Sequence, residues 1–181
     1  MTSLLSHLDK PVALVGMMGA GKSTVGRRLA KRLELDFIDS DDAIEQACGL
    51  PAGEVFARYG EKDFRDGERR IIARLLDDHR QVIATGGGAF ADEGTRSLLK
   101  DKAVTIWLDA PIEILAERTS GRDTRPLLNN DDPRGTLERL MEARRPFYSQ
   151  ADIRVRSGNV PHRDVVEWIV SALEDYLQRR V

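Results

Sequence analysis

Apolar and β-branched residues gather in short runs at Val12–Val15, 35–38, 82–84, 103–108 and 153–155, each about the length of a buried strand. Between the runs, apolar positions recur every three or four residues. After the first run, Val25, Leu29, Ala30 and Leu33 share one helical face while Arg27, Arg28, Lys31 and Arg32 lie on others. Strands that alternate with helices predict an α/β domain, a parallel sheet covered on both faces, with ligands gathered at the carboxyl ends of the strands. Two segments break the periodicity: residues 120–134, with clustered Gly, Pro, Asn and Asp, and residues 158–162. The first has the length of a functional loop and is expected to be a mobile lid.

The turn after the first run reads Gly16-Met17-Met18-Gly19-Ala20-Gly21-Lys22-Ser23-Thr24, which is G-x-x-x-x-G-K-[ST] between a strand and a helix. Backbone N–H groups of such a loop curl around phosphate oxygens. Lys22 is placed to reach the β and γ phosphates, and the Ser23 hydroxyl to ligand Mg²⁺.

Composition narrows the ligand class. A chain of 181 residues, 41% hydrophobic and 32% charged, suits one globular domain with its own core. A net charge of −2 gives no bulk attraction to nucleic acid, so a small molecule is the expected partner. The first residues lack the apolar core of a secretory signal or membrane span, and the single Cys48 has no internal partner; both lead to an expected cytoplasmic location. Cys48 is expected to be a small buried apolar residue. His7, His79 and His162 have no metal-ligand spacing and are expected in surface or packing roles. With no large apolar stripe in view, a monomer is expected.

Acceptor chemistry is sought at the other strand ends. The second run leads into Asp39-Ser40-Asp41-Asp42. If that segment is extended, Asp39 and Asp41 point to the cradle together and Ser40 points away. One of Ser40, Asp41 and Asp42 is expected to cap the helix that follows. The third run leads into Gly86-Gly87-Gly88, where missing side chains let a substrate approach backbone N–H donors. Arg65, Arg125 and Arg144 stand beside turn or breaker residues rather than in charged helix faces. Gly67, inside the helix expected after residue 60, predicts a bend or a tight contact.

The combination of G-M-M-G-A-G-K-S-T, D-S-D, the F-R at 64–65, G-G-G, T-R-P-L-L and R-R-P-x-Y, in this order and spacing, resembles the shikimate kinase family over residues 12–177. The resemblance implies a three-layer P-loop kinase fold of one domain over residues 1–181. It implies a five-stranded parallel sheet flanked by helices, a mobile lid at about 120–134 and a substrate-binding region at about 39–68. It also implies transfer of phosphate from ATP, the co-substrate, to the 3-hydroxyl of shikimate, with one Mg²⁺ per subunit and no nucleic acid or membrane partner. Carried onto this chain, Gly19, Ala20, Gly21, Lys22, Ser23 and Thr24 hold the nucleotide phosphates. Ser23 binds the metal, which Asp39 supports through water. Asp41 meets the shikimate hydroxyls as the candidate base. Arg65, Arg144 and the Gly87-Gly88 backbone hold shikimate, Arg125 closes over the transferring phosphate, and Arg118 with Asn159 lies against adenine. Two other readings stay open: a related small-molecule kinase such as gluconate kinase, which would not need paired arginines for a ring carboxylate, and a non-catalytic nucleotide-sensing module.

Overall fold

A computed structural model describes residues 7–120, 126–128 and 130–180. Among them, five strands form one parallel sheet: β1 (Val12–Val15), β2 (Asp36–Asp39), β3 (Gln81–Ala84), β4 (Val104–Asp109) and β5 (Ile153–Arg156), in the order β2-β3-β1-β4-β5. Every residue of β1, β3 and β4 is buried, as strands covered on both faces require. The edge strand β5 alternates buried and exposed residues instead.

The helices are α1 (Lys22–Leu33), α2 (Ser40–Cys48), α3 (Ala52–Asp78), α4 (Glu93–Lys102), α5 (Ile112–Thr119), α6 (Pro133–Tyr148) and α7 (His162–Gln178). The stripe read from the sequence is the one α1 buries: Val25, Leu29, Ala30 and Leu33 all face the core. α7 buries Val165, Val166, Ile169, Val170, Leu173 and Leu177 and packs alongside α1. The two helices cover one face of the sheet with a continuous apolar layer.

The sheet order places β1 between β3 and β4. Chain direction therefore parts at the carboxyl end of β1, where neighbouring loops leave a crevice. The turns after β1, β2 and β3 all open there.

Some expectations need correction. Arg65 and Arg144 lie inside α3 and α6, not beside turns. α3 does break, but at Gly60 (φ 82°, ψ 168°), while a Cβ on Gly67 would meet nothing within 4 Å. The Gly67 position is neither bent nor tight. Cys48 is exposed at the end of α2, because the buried positions of that short helix are Ser40, Ala43 and Ile44. Of the segment 120–134, residues 126–128 form a short 3₁₀ turn and residues 133–134 already belong to α6. Arg125 lies outside the described residues.

Candidate active site

The loop between β1 and α1 has Gly16, Gly19 and Gly21 at φ 140°, 83° and 92°, a succession that turns peptide N–H groups toward the crevice. Gly16 could be nothing else, since a Cβ there would stand 2.7 Å from the Leu108 carbonyl oxygen. α1 begins at Lys22 with no side chain capping it, so its first N–H groups face the crevice as donors. The Lys22 ammonium folds back over the loop, donating to the Gly16 carbonyl at 2.7 Å and the Met17 carbonyl at 2.9 Å. Gly19, Gly21, Lys22, Ser23 and Thr24 line the resulting cleft, while Ala20 is buried behind them.

Asp39 joins this cradle to the second strand. Its Oδ2 accepts the Ser23 hydroxyl, and its Oδ1 accepts the Asp41 N–H at 2.9 Å. Asp39 is thus the N-cap of α2, and the helix starts at Ser40, earlier than the sequence suggested. The expected extended Asp39-Ser40-Asp41 segment is replaced by a cap and a first helical turn. Asp39 and Asp41 nevertheless both line the cleft. Ser40 is fully buried, its hydroxyl accepting the Gly86 N–H at 3.2 Å and tying β2 to the glycine turn. Asp42 faces outward and pairs with Arg27 at 3.9 Å, which leaves Asp41 as the inward carboxylate of the two.

Burial, followed by repulsion from Asp39, raises the Asp41 pKa to about 6 despite the opposing charge of Lys22. A carboxylate with that value is largely ionised near neutrality and still basic enough to take a proton.

The opposite wall is built from α3, α6 and the glycine turn. Arg65 donates to Glu68 at 2.6 Å. Glu68 is only 1% exposed, and its burial raises its pKa against the pull of Arg65. The Arg65 guanidinium also lies 5.2 Å from the Phe64 ring centroid, and Phe64 meets Phe56 edge-on at 5.4 Å. Arg144 is 8% exposed, and its Nη1 is buried without a hydrogen-bond acceptor among the described residues. A buried guanidinium nitrogen without an acceptor is costly, and an anionic ligand would satisfy it. Glycines 86–88 run between these groups: a Cβ on Gly86 would press on Glu68 and Asp41, and one on Gly88 would collide with Arg65.

The cleft holds about 470 Å³. Arg118 lines its far end, donating to the Gly19 carbonyl at 3.3 Å and the Gly158 carbonyl at 2.8 Å. His162 stands beside it, a residue that sequence reasoning assigned to surface or packing. Burial, then the charges of Arg118 and Arg28, lower the His162 pKa. Its place at the first position of α7, directly after an irregular segment, was the available signal. Asn159 is exposed and is not among the residues lining the cleft.

Ser23 and Asp39 offer two hard oxygen donors at the mouth of the cradle, a set that fits Mg²⁺, an ion that keeps several waters and takes few protein ligands. Among the described residues, no group of three or more His, Cys, Asp and Glu could hold a metal alone. No described helix is long and apolar enough to cross a membrane.

Comparison with known proteins agrees with this geometry. Residues 18–174 match the family model described as shikimate kinase. A shikimate kinase of Rhodopseudomonas palustris is 52% identical over 93% of this chain and 83% of its own length. One of Novosphingobium aromaticivorans is 47% identical over 94% of this chain and 91% of its own. Among solved structures, the shikimate kinase of Acinetobacter baumannii in complex with shikimate superposes with a TM-score of 0.87 at 36% identity, covering 90% of this chain and 91% of that one.

Proposed function

The chain belongs to the shikimate kinase family, and we propose that it transfers the γ-phosphoryl group of ATP to the 3-hydroxyl of shikimate, giving shikimate 3-phosphate and ADP. The observation that carries this reading is the unmatched Arg144 nitrogen beside the glycine turn, across the cleft from the phosphate loop. Shikimate has a carboxylate at one end of its ring and hydroxyls at the other. The buried Arg144 and the half-buried Arg65 suit the carboxylate, and Asp41 suits a hydroxyl.

In this reading the loop N–H groups and Lys22 bind the β and γ phosphates and stabilise the charge carried by the transferring group. Ser23 would hold Mg²⁺, with Asp39 supporting it through water, and the ion would neutralise phosphate charge. Asp41 orients the acceptor hydroxyl and takes its proton. Arg65 and Arg144 grip the carboxylate, with Glu68 fixing the Arg65 fork, and Gly87-Gly88 support the ring through their backbone. Arg118 is assigned to the adenine side. Asn159 reaches that side only if its loop rearranges. Arg125 is assigned to a lid in the segment between α5 and α6 that closes over the phosphates and excludes water. A single domain working as a monomer belongs to this reading, and a cytoplasmic setting suits a free Cys48 and soluble substrates.

Arg144→Ala is the cleanest test, because Arg65→Ala would also strand the buried Glu68. Loss of one or two charge-assisted bonds should weaken shikimate binding by about 1.5–3 kcal/mol, roughly a 10- to 150-fold rise in Kd, with ATP binding unchanged. Calorimetric titration with each substrate measures both. Unaltered shikimate affinity would remove the carboxylate from this end of the cleft. For Arg125→Ala, steady-state kinetics should show turnover falling more than the shikimate KM rises; a change in KM alone would contradict the lid role.

A further inference from the structure

Tyr148, the last residue of α6, is fully buried, and its hydroxyl neighbours the Arg144 guanidinium, whose positive charge and hydrogen bonding act on the phenol. That hydroxyl donates to the Gly87 carbonyl and lies 3.7 Å from the Met17 thioether of the phosphate loop. It has a single proton to give, and the carbonyl is the stronger acceptor. Burial holds the Tyr148 phenol above its ordinary range, so the donor keeps its proton.

Gly87 is where the two halves of the cleft meet. A Cβ built on it would stand 3.2 Å from the Met18 backbone nitrogen and 3.6 Å from the Arg144 guanidinium. Arg144 and Tyr148 are four residues apart and share one face of α6. Pro146 between them has no N–H to give to the carbonyl one turn earlier, so this end of the helix lacks a rung. Contacts outside the helix locate it instead: the hydroxyl on Gly87, and the ring against Trp107 with centroids 5.9 Å apart.

We propose that Tyr148 is a positioning residue whose hydroxyl fixes the Gly87 peptide, and so sets the spacing between the glycine turn, Arg144 and the phosphate loop. Without that bond the Gly87 carbonyl loses the donor that Tyr148 supplies, and the Gly87 peptide is held only through its neighbours, Gly86 by Ser40 and Ala89 and Gly88 by Ala91. The acceptor side then no longer presents one geometry, while the phosphate loop keeps its own hydrogen bonds. This inference rests on the shikimate site proposed above.

The test is a grid of initial rates against shikimate and ATP for the wild type, Tyr148→Phe, Tyr148→p-aminophenylalanine and Thr105→Val. The aminophenyl ring restores a donor at the same place. Thr105 controls for stability, since its buried hydroxyl donates to Asp152 at 2.7 Å at the amino end of β4, away from the cleft. Tyr148→Phe should raise the shikimate KM roughly 5- to 20-fold and leave the ATP KM within about twofold, the scale of one lost hydrogen bond. Tyr148→p-aminophenylalanine should recover most of that rise, and Thr105→Val should leave both constants unchanged. An unchanged shikimate KM in Tyr148→Phe, an equal rise in both constants, no recovery with the aminophenyl ring, or the same shift in Thr105→Val would overturn the proposal. So would a Tyr148→Phe chain that fails to fold while the aminophenyl chain folds without normal shikimate KM. The wild-type rate separates the two levels: a wild type silent with shikimate overturns the proposed function itself.

Discussion

Asp41 is held at a pKa of about 6 by burial and by Asp39, so its charge near neutrality is maintained at the expense of stability. The folded chain binds its proton more tightly than the unfolded chain, so the Asp41 contribution to stability declines as pH rises from 3.8 toward 6 and stays reduced above it. Asp41→Asn removes that charge. Its melting temperature should exceed that of the wild type above pH 6, by the equivalent of at most about 3 kcal/mol, and the gap should close on acidification. Turnover should fall by about 10²–10⁴-fold in the same variant, the range expected for loss of a general base. In the wild type, kcat/KM for shikimate should fall as pH drops through about 6, where Asp41 takes up its proton. Melts and rate profiles across pH 4–9 would check all three, and an asparagine variant with near-normal turnover would reduce Asp41 to a positioning role.

Two glycines of α3 predict opposite outcomes on one element. Gly60 occupies a backbone region (φ 82°, ψ 168°) that only glycine enters readily, so Gly60→Ala should lower stability by about 1–3 kcal/mol. Gly67 is helical with open space around it, so Gly67→Ala should raise stability by about 0.5–1 kcal/mol. Urea unfolding midpoints moving in opposite directions would confirm the pair. The contrast also marks what local sequence could reveal. The strand, loop and helix around Lys22 were legible because apolar period and glycine spacing agree over consecutive residues. The break at Gly60 was not, because composition alone does not state which glycine of a helix carries the unusual φ. Nor was the cap of α2: Ser40, Asp41 and Asp42 are all acceptable caps, yet the cap is Asp39, whose other oxygen accepts the hydroxyl of the distant Ser23.

Across the whole molecule, the sheet order β2-β3-β1-β4-β5 gathers the turns after β1, β2 and β3 at one edge. Groups separated by more than a hundred residues, Lys22 and Arg144 among them, thereby come to line a single cleft. The residue types were readable beforehand through motifs and their order. Their pairing was not, since burial of Glu68 against Arg65, the outward turn of Asp42 and the entry of His162 depend on packing between distant elements. The central claim is that this cleft joins a phosphate donor to a ring carboxylate with an alcohol at its far end. It is tested most directly by following ADP release with ATP and Mg²⁺ while shikimate, gluconate and nucleoside monophosphates are offered in turn. The account predicts release with shikimate, one ADP for each shikimate consumed, and only background with the others. Release driven by gluconate or a nucleoside monophosphate, or none with shikimate, would contradict it.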